Sequence, residues 1–176
     1  MKIACLGWGS LIWKPQHLPV AGEWHTDGPM LPIEFARVSD GGELATVICV
    51  NAAPIQVLWA WLDIEDVTVA CDALRKREGI DDDRIDGVGL LIIDETPEGE
   101  LAEWAQEHGI EAVVWTALPP KSAEMEGRAP TVTEAIAYLD SLTGETREHA
   151  QDYIKSVPEQ INTVYRRAIV ETLGWK

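Results

Sequence analysis

Apolar residues change their spacing along this chain. Over roughly the first two thirds they mostly fall in short runs or alternate with polar residues, and beyond about residue 131 they recur every three or four positions. The first pattern predicts strands and the second helices. Strands are predicted over 3–8, 22–26, 31–38, 44–50, 55–62, 86–93 and 111–117. In 31–38 the alternation places Ile33, Phe35 and Arg37 on one face. Gly41-Gly42 supplies a turn, and Asn51-Ala52-Ala53-Pro54 separates the next two runs. Helices are predicted over 64–78, about 97–108, from Thr131 through Leu139, over 144–156 and over 158–172. Pro97 and Pro158 suit first-turn positions, and Thr131 with Glu134 fits a capping box. Residues 118–130 read as an exposed, mobile loop. The predicted fold class is α+β in a single domain over 1–176: a small mixed, mostly antiparallel sheet, strongly curved or closing into a barrel, with flanking helices. The last third, about 131–172, is mainly helical.

Composition narrows the function. A chain of 176 residues with 46% hydrophobic and 25% charged residues has enough apolar material for one folded core. The formal net charge is -16, and no long basic stripe offsets it. That balance argues against nucleic-acid binding and against anionic membrane surfaces. No apolar run reaches transmembrane length. Cys5, Cys49 and Cys71 form no CxxC pair and read as small buried hydrophobes in a reducing, cytoplasmic setting. His17, His25, His108 and His149 form no tight ligand pair, the only local cluster being His25 near Asp27, so no metal is expected. Tyr165-Arg166-Arg167 is a small basic patch that reads either as a partner surface or as a solvated helix face. The oligomeric state stays open.

One carboxylate falls out of pattern. Ile64, Val67, Cys71 and Leu74 form the apolar stripe of the helix over 64–78, and the next position on that stripe is Glu78. Gly79 follows as a helix-ending residue. A carboxylate facing the core in the last turn is disfavoured by burial and by the partial negative charge of the helix end. Both raise its pKa, which prepares it for proton transfer near neutral pH. The competing reading is a frayed helix end with Glu78 in water. Arg37 carries a similar ambiguity: it binds a substrate carboxylate, pairs with Glu78, or reaches water from the strand end.

The first strand leaves through "GWGSLIWKP", residues 7–15. Successive backbone N–H groups of Gly9, Ser10 and Leu11 can form a concave anion site, Ser10 can add a hydroxyl, and Trp8 and Trp13 can wall a small pocket. The stretch is not GxSxG, so a serine hydrolase is disfavoured. It resembles the signature loop of the γ-glutamylcyclotransferase superfamily, in particular its ChaC-like and AIG2-like branch, where a strand ends in Tyr-Gly-Ser-Leu. "LPIEFARVS" (31–39), "ELATVICV" (43–50) and "VLWAWLDIEDVTVACDALRKREGI" (57–80) resemble that family's following elements in order. The resemblance covers about residues 3–93 and implies a small barrel with flanking helices.

It further implies that Gly9, Ser10 and Leu11 hold the polar end of a small-molecule γ-glutamyl substrate. It makes Glu78 the general acid/base, and it implies a late pocket tyrosine: Tyr153, with Tyr138 and Tyr165 as rivals. The implied reaction is cyclisation of a γ-glutamyl amide to 5-oxoproline without a cofactor. Trp8 stands where the family has tyrosine, and the segment 31–46 is short beside glutathione-specific relatives; both bear on the substrate. Two alternatives remain: a non-catalytic small-molecule binding module of the same fold, or an acyl transferase acting on another γ-glutamyl compound.

Overall fold

A computed structural model describes residues 1–175. Its strands are β1 (Ile3–Gly7), β2 (Val20–His25), β3 (Met30–Val38), β4 (Leu44–Ile48), β5 (Pro54–Gln56), β6 (Leu58–Leu62), β7 (Gly87–Ile92) and β8 (Ala112–Ala117). Its helices are α1 (Val67–Glu78), α2 (Glu100–Glu107), α3 (Val132–Ser141), α4 (Gly144–Ser156) and α5 (Val164–Leu173). The α+β class is therefore as expected. The strands divide between a five-stranded sheet of order β2-β6-β1-β8-β7 and a three-stranded sheet of order β4-β3-β5. β1 runs antiparallel to β6 and parallel to β8.

The chain gathers into two compact units, each discontinuous in sequence. The first comprises Met1–Gly7, Leu11–Met30 and Gln56–Leu118 and carries the five-stranded sheet with α1 and α2. β1 is buried along its whole length at the centre of that sheet. Ile3 and Cys5 join Ala112 and Val114 of β8 and Ala70 and Leu74 of α1 in one apolar core. Leu74 is fully buried, so truncation to alanine should cost about 2–5 kcal/mol. α1 starts two to three residues later than its periodicity suggested, because the Asp66 carboxylate caps it by accepting from the N–H groups of Thr68 and Val69. It stops at Gly79, whose φ of 67° suits glycine, with the Gly79 and Ile80 N–H groups returning to Lys76 O and Arg75 O. α2 begins at Glu100 rather than at Pro97, because Gly99 turns the chain at φ 95°.

The second unit comprises Trp8–Ser10, Leu31–Ile55 and the chain from Pro119 onward, with the three-stranded sheet and α3, α4 and α5. β3 and β4 form the hairpin expected around Gly41-Gly42, closed by Ser39 N–H on Glu43 O and Gly42 N–H on Ser39 O. α3 carries the expected capping box of Thr131 and Glu134. α5 starts at Val164, not at Pro158. The Thr163 side chain takes the cap by accepting from Arg166 N–H, and the Arg166 guanidinium donates to the carbonyls of Ile154, Val157, Pro158 and Ile161, which holds the preceding turn out of the helix.

Two further expectations need correction. The 118–130 segment is not uniformly exposed: Ser122 is buried, and Lys121 exchanges backbone bonds with Ala36 and Val38 along the edge of β3. In β3 itself the register shifts between Phe35, opposite Thr46, and Arg37, opposite Ala45. Ala36 is the extra residue of this bulge, and it moves Arg37 to the sheet face away from Ile33 and Phe35.

Candidate active site

In the second unit the segment Trp8–Ser10 lies against β4 and α4. Trp8 and Gly9 are buried and Ser10 is half-buried. Neither Gly7 nor Gly9 has positive φ; both are needed for close approach. In the first unit, a Cβ on Gly7 would lie 2.5 Å from the Trp24 ring. A Cβ on Gly9 would lie 2.5 Å from Thr46 Oγ1 and 2.7 Å from Tyr153 Oη. Thr46 ties this corner together. Its Oγ1 donates to Trp8 O (3.1 Å), its N–H donates to Tyr153 Oη (3.0 Å), and Oγ1 and Oη are 2.9 Å apart. A carbonyl only accepts, so the single Thr46 hydroxyl proton goes to Trp8 O. The Tyr153 hydroxyl is then the donor in the contact between the two oxygens. The phenol ring stands edge-on to Phe35, with centroids 6.3 Å apart.

Of the three tyrosines considered from the sequence, Tyr153 is the one whose hydroxyl meets this segment. Tyr138 donates to Gly42 O and Tyr165 to Pro130 O. Arg37 is held elsewhere in the unit. It donates to Pro119 O at 2.9 Å and pairs with Glu126 at 3.2 Å, on the far sheet face from Thr46. The partner that Arg37 takes within its own unit is Glu126. Thr46 was not singled out in the sequence, because a threonine within an apolar strand gives no periodic signal.

In the first unit Glu78 is the last residue of α1, with its side chain only 16% exposed, so the helix has not frayed there. Arg77 Nη1 donates to Glu78 Oε1 at 3.0 Å, while Arg77 Nε and Nη2 grip Lys14 O at 3.2 and 2.8 Å. Glu78 also lies near enough to Cys5 to act on its thiol, whose pKa is pushed up first by burial and then by the Glu78 charge, with Arg77 opposing. Leu11 places its side chain in this unit's core, whereas Trp13 stays 38% exposed.

A separate polar cluster sits in the first unit, and the sequence revealed only a fragment of it. Asp27 accepts from Trp59 Nε1 (2.8 Å) and meets His108 Nε2 (3.1 Å), while His108 Nδ1 faces Trp104 O at 2.8 Å. Both ring nitrogens of His108 thus face acceptors, an arrangement that the imidazolium satisfies in full. Its pKa is raised: burial works against the charge, but the Trp104 carbonyl and Asp27 outweigh it. His25, expected beside Asp27, stacks instead on Trp59, with ring centroids 4.4 Å apart. Among the described residues no three His, Cys, Asp or Glu side chains gather as a metal-ligand set, and no helix is long and apolar enough to cross a membrane.

No protein-family model matches the chain, and no curated protein matches it. Among solved structures it is similar to that of a γ-glutamyl cyclotransferase specific to glutathione from yeast. That likeness has a TM-score of 0.49 and 15% sequence identity, and it covers 99% of this chain and 98% of the other.

Proposed function

We propose that this chain is a γ-glutamylcyclotransferase-like enzyme that converts a γ-glutamyl amide or peptide to 5-oxoproline and releases an amine. The observation that carries the reading is the state of Glu78, a largely covered carboxylate fixed at a helix end. Such a group can shuttle a proton without becoming a nucleophile. The order of events is set by the substrate. Its α-amine attacks its own γ-carbonyl, a C–N bond closes the five-membered ring, and the C–N bond to the departing amine breaks. The α-ammonium must lose two protons to end as the lactam N–H, one before the attack and one after it, and Glu78 carries them in turn to the departing nitrogen, which leaves as an ammonium ion. Because nucleophile and electrophile belong to one molecule, the protein's main task is to hold the reactive conformer.

The second requirement is a set of donors for the polar end of the substrate. The backbone N–H groups of Gly9, Ser10 and Leu11 fill that role in this reading, with Trp8 as an apolar wall and Tyr153 beside them. Arg37, on the far face of its sheet from Thr46, has no part in this reading.

The test is release of 5-oxoproline from glutathione, from γ-glutamyl dipeptides and from γ-glutamyl-alkylamines, measured by mass spectrometry on folded protein. Release from at least one class is expected. Silence across all three would overturn the reading. Binding of the same compounds by calorimetry without turnover would replace it with a binding module.

A further inference from the structure

Resting on the reading of Gly9, Ser10 and Leu11 as substrate-holding donors, we propose that Thr46 is a positioning residue that aims the Gly9 N–H through the Trp8 carbonyl. The Trp8–Gly9 peptide is a planar unit in which the carbonyl and the N–H point in opposite directions. Whatever fixes Trp8 O therefore fixes the direction of the Gly9 N–H. Thr46 Oγ1 fixes it with a hydrogen bond of 3.1 Å made from within β4.

Three features make this a built arrangement. Thr46 is itself buried, so water does not compete for its hydroxyl. Its backbone N–H and its Oγ1 both engage Tyr153 Oη, so the side chain cannot swing its oxygen away from Trp8 O without also losing the Oγ1–Oη contact. Gly9 has no Cβ, and a Cβ there would overlap both Thr46 Oγ1 and Tyr153 Oη. The glycine thus lets two side chains from β4 and α4 approach the peptide they orient. Thr46 touches no reacting atom in this account. It acts by making the Gly9 donor available in one direction before substrate arrives, so its effect belongs to substrate binding rather than to the proton-transfer step.

The experiment compares wild type, Thr46→Val, which keeps the shape and removes the hydroxyl, and Thr46→Ser, which restores it. KM and kcat are measured on whichever panel compound releases 5-oxoproline. Nuclear magnetic resonance of protein labelled at tyrosine Cζ and glycine nitrogen is recorded in parallel, with Tyr153→Phe and Gly9→Ala used to assign the two signals. Thr46→Val is expected to raise KM about tenfold with kcat within about twofold. It should also shift both the Gly9 amide and the Tyr153 Cζ signals, and Thr46→Ser should return all of them toward wild type. A fall in kcat with KM unchanged, or Gly9 and Tyr153 signals that do not move in Thr46→Val, would overturn the proposal. If Thr46→Val does not fold, Thr46→Cys, a poorer donor of similar size, carries the same expectations. The resonance arm keeps the two readings apart: a wild type that turns over none of the compounds refutes the enzyme, while the signals still decide whether Thr46 sets the Gly9 peptide.

Discussion

The segment Trp8–Ser10 is fixed by uncharged groups that lie far away in sequence, Thr46 and Tyr153, whereas Glu78 is fixed by its own helix and by the arginine beside it. The first arrangement consists of buried hydroxyls and backbone groups that all find partners within one another's reach. Removing one member costs the bonds that it makes to the others inside the protein. The second is an ion pair with both side chains largely covered, 10% exposed for Arg77 and 16% for Glu78. There the loss of one partner leaves a charge behind. The neutral corner gives fixed direction, and the charged helix end gives a proton acceptor. In the proposed reaction one task needs direction and the other needs charge.

Substitution at Gly9 strikes the neutral corner hardest. Gly9→Ala forces a methyl against Thr46 Oγ1 and Tyr153 Oη, which should cost about 1–3 kcal/mol and lower turnover at least tenfold; thermal unfolding and 5-oxoproline release check both. A Gly9→Ala protein as stable and active as wild type would mean that the corner yields freely. Arg77→Met should have the next largest effect. It removes the Arg77–Glu78 bond and the two bonds to Lys14 O, with an expected loss of about 1–2 kcal/mol in chemical denaturation. Its turnover should fall less than that of a Glu78 variant, since the carboxylate remains.

The smallest expected effect belongs to the Asp27–His108 cluster, which is charged like the helix end but open to solvent. The raised pKa of His108 gives a contribution to stability that is complete below its ordinary value of 6.5 and is lost as the pH rises through the folded value. The lowered pKa of Asp27, due first to the Trp59 N–H and then to His108, gives one that is complete above its ordinary value of 3.8 and is lost as the pH falls through the folded value. The cluster therefore contributes most between those two ordinary values. Asp27→Asn should lower Tm by about 1–3 °C at pH 5.5 and by less at pH 8.5. An equal or larger loss at the higher pH would contradict the assignment of an imidazolium to His108.

How much of this was legible in the sequence depends on distance along the chain. The hairpin at Gly41-Gly42, the capping box at Thr131 and the helix end at Glu78-Gly79 depend on neighbours within a few residues, and each could be read, whereas the run over 55–62, expected as one strand, is divided between β5 and β6 of different sheets. The bulge at Ala36 could not, since it is set by pairing with β4, and it alone turns Arg37 to the other face of its sheet. Thr46 was hidden for the same reason: its importance comes from Trp8 and Tyr153, not from its own strand. What the glycines at 7 and 9 supply is room for side chains from distant parts of the chain, which their own neighbours in sequence do not reveal. Glu34 was missed as well. It is a buried carboxylate that accepts from Phe35 N–H and from Tyr165 N–H at the start of α5, and burial raises its pKa against those bonds.

The most direct measurement is 5-oxoproline release by Glu78→Gln beside wild type, with circular dichroism to show that both are folded. The account predicts a loss of turnover of about a hundredfold or more in a protein of unchanged fold, since the amide keeps the shape of the side chain but cannot take the proton. Turnover within about threefold of wild type would show that Glu78 is not the proton carrier, and with it the proposed mechanism would fall.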